Sequence, residues 1–450
     1  MSEAVHPVDE VLPLPRLGVL GLQHVLVMYA NAVAVPLILG GALKMPKDQI
    51  AMLINADLFA CGIATLVQTI GIGPFGIRLP VIMGVTAVSI SPMLAMAAMP
   101  GVGLTGIYGA VIVGGLFGLL MAPFVRHVLR FFPSVVTGTI ITMIGVSLMR
   151  VGITWAGGGA AAADFGAAGY LGVAGLVLAV ILVVIRFGRG FIANMSVLIG
   201  IAVGYVVTIG LGWTDFSGIQ DEAWVRVVLP LQFGFPTFYL LPCLTMCLVM
   251  TIVFIEATGM FLALGAMTGR KIGADDIKRG LRADSLGTII GGIFNTFPYV
   301  SYSQNIGLVG VTGVHSRWVC VAGGVIMLAL GLIPKLAFIV ASVPQCVLGG
   351  AGFIMFGMVA ATGIKILATV DYVNQRNNVL VVAIAIGFGV IPIVSPAFFH
   401  IMPAELKPIF GDSIILTSIA AVLLNAYFNR TTTEEAEAGA MLAAQGAEHI

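Results

Sequence analysis

Charge is what this sequence has least of. Of its 450 residues only 9% are Asp, Glu, Lys or Arg, where a soluble domain carries about 25%. So few charges cannot clothe a water-facing surface, which excludes a soluble globular protein and a disordered chain. The formal net charge of +1 offers no basic field to gather a polyanion, so no nucleic-acid partner is expected. Cysteine is scarce as well. Cys61, Cys243, Cys247, Cys320 and Cys346 all sit in apolar stretches. Cys243 and Cys247 share a helix face, but no His or third Cys joins them, so all five read as small core residues rather than metal ligands. The polar, acidic N-terminus lacks the basic start and short apolar run of a secretory signal and reads as a cytoplasmic tail. There is no catalytic triad, zinc motif or Walker loop. The GxG match at Gly71–Gly73 stands in a chain with 58 glycines and has no strand–turn–helix context. A nucleotide-driven ATPase is excluded, and a membrane-embedded enzyme would need a nucleophile with its base, or a metal cluster.

What is abundant is apolar sequence, 59% of the chain. It comes in runs of about 17–25 residues, the length of a membrane-spanning helix, without the alternation of a membrane barrel. Glycine suits close helix packing and broken helices in lipid. Fourteen segments are expected, near 17–39, 50–71, 79–98, 103–123, 133–149, 168–185, 191–212, 238–268, 283–296, 302–314, 318–340, 343–364, 378–394 and 411–428. The ninth and tenth are too short to span alone, and Pro80 and Pro92 break the third. With the N-terminus inside, 15 of the 21 Lys and Arg residues fall on the cytoplasmic side, as the positive-inside rule requires. An odd number of spans would scramble that bias. The tail beyond Thr431 reads as disordered.

Two echoes divide the chain. Aligning Pro80 with Pro298 sets Thr86 opposite Gln304 and Ala87 opposite Asn305. Pro133 and Gly138 match Pro344 and Gly349 at an offset of 211. Two halves of seven segments must be inverted relative to one another. Paired broken segments in inverted repeats are a mark of secondary transporters, with the substrate held between the breaks. Non-helical backbone at membrane depth survives only where it lines a cavity or is covered by protein.

Four ionisable residues fall within the spans, where a charge costs about 2.5–3.5 kcal/mol on insertion scales. Glu256 lies mid-segment with no neutralising neighbour in sequence and reads as a substrate or proton site. Asp284 is either a helix cap and partner of Arg282 or a proton-coupling group. His24 is either an interhelical hydrogen bond or a wall of the site. Asp57 reads as structural. Gln304 and Asn305 offer donors and acceptors beside a helix break, for a ligand with alternating N–H and C=O groups or for helix packing.

At these residues the chain resembles the nucleobase–ascorbate transporters, also called the nucleobase:cation symporter-2 family. The run Gln304-Asn305-Ile306-Gly307, with Thr312 and Gly313 after it, matches the family motif in full. Gln23-His24, Glu256 and Asp284 match its other markers in order. Within the family the chain is similar to bacterial uric acid and xanthine permeases. Gln304 stands where uracil transporters tend to have Glu, Thr86 where xanthine-selective members often carry Asn, and Met260 where uracil-type members have His. The resemblance implies an all-α polytopic protein of fourteen transmembrane segments in two inverted repeats, with short strands in segments 3 and 10. A core would comprise residues 14–130 and 238–341, and a gate and dimer interface residues 131–237 and 342–430. The core would slide past the gate as an elevator in a bacterial inner membrane, with both termini cytoplasmic. Glu256, Gln304, Asn305, Thr86, Ala87, Val88, Ser303 and His24 would bind the purine, and Asp284 or Glu256 would carry the coupling proton. No other cofactor is implied. The alternatives are a pyrimidine permease of the same family, an anion exchanger sharing the fold, and a channel.

Overall fold

The computed structural model describes residues 6–125, 131–160, 162–403 and 407–429, leaving out the side chains at 30, 31, 303, 304, 311, 407 and 408. The tail from 431 onward lies outside the described residues.

Long apolar runs make the long helices. The first half contains α1 (Leu14–Ala42), α2 (Lys47–Leu66), a strand β1 (Met83–Val85), α3 (Ile90–Ala97) and α4 (Gly103–Met121). It continues with α5 (Ser134–Ala156), α6 (Ala168–Phe187), α7 (Phe191–Asn194) and α8 (Ser196–Gly210). The second half repeats the order. It has α9 (Leu240–Thr268), α10 (Ala274–Ile293), β2 (Tyr299–Ser301), α11 (Ser303–Thr312), α12 (Arg317–Gly331) and α13 (Pro334–Ala341). It ends with α14 (Gln345–Leu367), α15 (Asn377–Val394), α16 (Lys407–Phe410) and α17 (Ser413–Phe428). Equivalent elements agree in length: α1 and α9 have 29 residues, α2 and α10 have 20, and α5 and α14 have 23. Pro133 and Pro344 precede the last pair, as their echo predicts.

Each of the fourteen expected segments contains one of these elements, but among the described residues only eight helices are long and apolar enough to cross a membrane alone. A ninth span arises if α12 and α13, bent by 82°, count as one. Ala87–Ala97, Ser196–Gly210 and Ser413–Phe428 are shorter apolar helices. Three local expectations are corrected. Segment nine is a 20-residue helix and not a short one, because its basic stretch is helical from Gly273, whose N–H donates to Asp276 Oδ2 at 3.0 Å. Asp284 is therefore mid-helix and does not cap it. Pro92 does not break α3, since it lies in the first turn, where its missing N–H is not needed.

The strands form a two-stranded antiparallel sheet with Met83 opposite Ser301, Gly84 opposite Val300 and Val85 opposite Tyr299. All six residues are buried. The strand centres set an offset two residues shorter than the proline alignment, so Val88, not Thr86, is the repeat equivalent of position 304. Two further strand amides are paired with side chains: Met83 N–H donates to Thr65 Oγ1 at 2.9 Å and Tyr299 N–H to Thr288 Oγ1 at 3.1 Å. Unpaired peptide groups cost several kcal/mol in an apolar medium.

The helices pack in two groups. In the first, α4 packs on α9 and α10, and α12 on α1 and α2; in the second, α5 packs on α14, α15 and α17, and α6 on α8 and α14. Contacts between the groups are thinner, through α3 with α5 and α17, α1 with α8, and α7 with α11. At the start of α2, Lys47 Nζ meets Asp215 Oδ2 at 2.8 Å and joins the groups. That lysine's hydrogen bond holds the Asp215 carboxyl well below the usual carboxylate range. Beyond the other end of α2, Arg317 meets Asp9 at 2.7 Å, and Arg270 bonds the Arg78 carbonyl.

Glycine sets the α5–α14 crossing. A methyl on Gly145 would collide with the Ala360 backbone nitrogen, and one on Gly363 with that of Thr142. Overpacking here costs about 1–3 kcal/mol or more. Gly145→Leu is expected to abolish the monodisperse peak in detergent size-exclusion chromatography. Gly172→Leu, with nothing within 4 Å of its added Cβ, should leave the peak unchanged.

Candidate functional site

A cavity of about 240 Å³ lies between the two groups. From the first group come Val85 at the end of β1, Ala87 and Val88 after it, Val300 and Tyr302 around β2, Gly307 on α11, and Glu256 and Met260 on α9. From the second come Ile140 and Ile144 on α5, Met355 and Val359 on α14, and Asn194 on α7. The wall is mostly apolar. Among the described residues Glu256 is the only ionisable carboxyl lining it, and its Oε2 is buried with no hydrogen-bond partner. The cavity thus offers an unsatisfied acceptor amid aliphatic and aromatic surface, the arrangement of a small-molecule site.

The other expected site residues divide by role. Ala87 and Val88 line the cavity. Thr86 turns away from it and caps the 3-10 turn Ala87–Ser89, its Oγ1 accepting from Val88 N–H at 3.3 Å. His24 and Asn305 meet each other: Asn305 Nδ2 lies 2.8 Å from His24 Nδ1 and 3.2 Å from the His24 carbonyl. With the amide donating, His24 accepts at Nδ1. The pair ties α11 to α1, both residues are buried, and neither lines the cavity. The side chains of Ser303 and Gln304 lie outside the described ones. Their backbone forms the first turn of α11, whose preceding residue, Tyr302, supplies no side-chain cap. The N-terminal amides of this half-helix therefore lack that cap at the mouth of the site.

Asp284 lies behind the cavity. Its Oδ1 accepts from Gln68 Nε2 at 2.8 Å and from Ser301 Oγ at 3.1 Å, while Oδ2 is buried without a partner among the described residues. Gln68 also donates to the Gly280 carbonyl at 3.1 Å and accepts from Ile77 N–H at 3.0 Å. Asp57 is its counterpart. Both are the eleventh residue of a 20-residue helix. Asp57 Oδ1 accepts from the Tyr299 hydroxyl at 2.8 Å, and its Oδ2 is likewise unpartnered. The two aspartates thus hold opposite ends of β2.

Sequence reasoning missed Gln68, Tyr299, Ser301 and Asn194. The equivalence of Asp57 and Asp284 was available from aligning the second segment of each half, and would have pointed to the strand residues between them. Nothing in sequence distinguishes Gln68 or Asn194 from polar residues at a helix end.

Comparison with known proteins gives the following. Residues 16–398 match the model of a permease family, that of the xanthine and uric acid permeases. The uric acid transporter UacT of Escherichia coli K12 is 51% identical over 423 residues, 94% of this chain and 88% of that one. The xanthine permease of Bacillus subtilis 168 is 42% identical over 410 residues, 91% of this chain and 93% of that one. The uric acid permease PucJ of the same organism is 40% identical over 421 residues, 92% and 93% of the two chains. Among solved structures, the transmembrane domain of a cyanobacterium bicarbonate transporter, BicA, is similar at TM-score 0.57 and 17% identity, over 90% of this chain and 97% of that one. The murine anion transporter Slc26a9 in its inward-facing state is similar at TM-score 0.62 and 12% identity, over 95% and 69%. At those identities the likeness is one of fold.

Tyr299→Phe removes the hydroxyl on Asp57 and leaves its buried Oδ1 with only the weak Cys61 thiol donor at 3.9 Å, at about 1–3 kcal/mol. Its midpoint of thermal unfolding in detergent should fall by a few degrees. An unchanged midpoint would show that Asp57 does not brace the strand.

Proposed function

The chain belongs to the permease family that its residues 16–398 match, and from that premise we propose that it is a proton-coupled importer of an oxidised purine, uric acid or xanthine. The chain is a multi-pass membrane transporter, not an enzyme. The observation that carries the purine reading is the unpartnered Glu256 oxygen in the cavity, in a chain whose relatives are named for uric acid and xanthine.

Oxidised purines are planar and carry several ring N–H and C=O groups. Glu256 accepts one or two of the N–H groups, and the Gln304 carboxamide pairs with a neighbouring N–H and C=O edge. The backbone amides near Ala87, Val88, Ser303 and Asn305 complete the rim, and Tyr302 covers a ring face. Thr86 serves by fixing the turn that presents Ala87 and Val88. His24 and Asn305 serve by fixing α11. Hydrogen bonds to a charged group contribute about 1.5–3 kcal/mol each. Two or three, discounted for desolvation, give micromolar binding, about −8 kcal/mol.

Coupling requires a carboxyl whose protonation changes as its surroundings alternate between water and protein. Glu256 meets the ligand, and Asp284 stands behind it, bonded to Ser301 of β2. The proton is held by this pair. Binding of the purine N–H groups to Glu256 and protonation of Asp284 then favour each other, because two neighbouring carboxylates repel.

The two packing groups support a division into a core of residues 14–130 and 238–341 and a gate of residues 131–237 and 342–430. The thin contacts between them suit an elevator motion of the core. The gate surface serves as the interface of a homodimer. The arginine-rich end near Asp9 faces the cytoplasm, with both termini, and the membrane is a bacterial inner membrane.

The test is uptake of radiolabelled xanthine and urate in a host lacking purine permeases, with protonophore and with excess uracil. Saturable uptake that collapses with the protonophore and ignores uracil is expected. No uptake of either purine by protein shown to be in the membrane would overturn the reading. Glu256→Gln should reach the membrane yet lose uptake, and wild-type uptake by it would remove Glu256 from the site. Gln304→Glu should alter the inhibition profile of uracil and hypoxanthine, and an unchanged profile would refute its role in selectivity.

A further inference from the structure

One polar group in the cavity wall has no part in the reading above. Asn194 is the last residue of α7, on the gate side. It lines the cavity, and its Nδ2 is buried with no hydrogen-bond partner among the described residues. An amide donor left unsatisfied in a buried place costs about 1–3 kcal/mol, so its persistence calls for an acceptor that arrives with a ligand or with water. Two other polar side chains on the same side differ. Thr137 and Thr362 line the cavity from the same side, but their hydroxyls donate to the carbonyls of Phe132 and Met358, each at 3.0 Å.

The position of Asn194 is built by the chain. Helix α6 ends at Phe187, and Gly190 follows with φ +56° and ψ −123°, a conformation only glycine adopts readily. This turn sends α7 against α11, the half-helix that begins at the motif. Among the described residues the cavity therefore holds two buried unpartnered polar atoms, an acceptor at Glu256 Oε2 from the core and a donor at Asn194 Nδ2 from the gate. A ligand that answers both must carry an N–H for the first and a C=O for the second.

We propose that Asn194 donates a hydrogen bond from Nδ2 to a ring carbonyl of the purine, and that it helps to select oxopurines over purines lacking that carbonyl. The proposal rests on the transport reading. Because Asn194 belongs to the gate, the contact exists only where the core brings the ligand to its level. It therefore acts at one end of the transport cycle, unlike Glu256, which moves with the ligand.

The experiment compares wild type with Asn194→Ala and Asn194→Ser, each quantified at the membrane by immunoblot. It measures KM for labelled xanthine, and inhibition constants for urate, hypoxanthine and oxopurine analogues that each lack one carbonyl. Loss of one neutral hydrogen bond predicts a rise of about three- to tenfold in the constant for purines bearing the contacted carbonyl, with no change for the analogue lacking it. Equal constants for wild type and both variants with every purine would overturn the proposal. So would an equal loss for every analogue, which would mark a merely structural asparagine. Failure of the wild-type protein to take up any purine is seen before a variant is made, and sinks the transport reading on which the proposal stands.

Discussion

A peptide group at membrane depth must find a partner, and this requirement organises the site. The chain interrupts two helical segments with strands of three residues each, then pairs the strands with one another. Thr65 and Thr288 accept from the amides of Met83 and Tyr299. Asp57 and Asp284 then hold the Tyr299 and Ser301 side chains at the two ends of β2. Only with the sheet fixed in this way do the turns after its strands, at Ala87–Val88 and at Tyr302, stand still against the cavity. The binding surface is thus a consequence of satisfying the backbone, not an addition to it.

The same logic sorts the buried polar residues. His24, Asn305, Thr86, Gln68, Asp57 and Asp284 each bond within the protein and shape the frame, although Asn305 Oδ1, Asp57 Oδ2 and Asp284 Oδ2 are buried without a partner among the described residues. Glu256 and Asn194 differ in that their buried polar atoms, without a partner among the described residues, belong to side chains lining one cavity, from two different helix groups. Groups that the fold has satisfied are poor candidates for direct ligand contact, since a ligand must first displace their partner. Groups that the fold has left open cost stability unless a ligand answers them.

How far the sequence disclosed this follows from what each residue depends on. The long apolar helices were legible because run length alone decides them, although only eight among the described residues, of fourteen expected spans, are long and apolar enough to cross alone. The Pro133 and Pro344 echo was legible because both prolines stand at the same place, before helices of equal length. The Pro80 and Pro298 echo was two residues out, because those prolines lie outside the strands and do not set the register. Asp284 was half-read, because the charged stretch before it looks like a loop in sequence and is a helix in the fold. His24 and Asn305 were conspicuous as polar residues in apolar segments, but only packing shows that they face one another. Gln68 and Asn194 were invisible, since their importance comes from partners, or the lack of them, far away along the chain.

The central claim is that the substrate sits between the two helix groups with its N–H edge on Glu256. The most direct measurement is a cryo-EM structure of the purified protein with saturating urate. The account predicts planar density in the cavity beside Val88 and Tyr302, with a ring nitrogen within hydrogen-bond distance of a Glu256 carboxylate oxygen. Urate density elsewhere, with Glu256 engaged by a protein group instead, would contradict it.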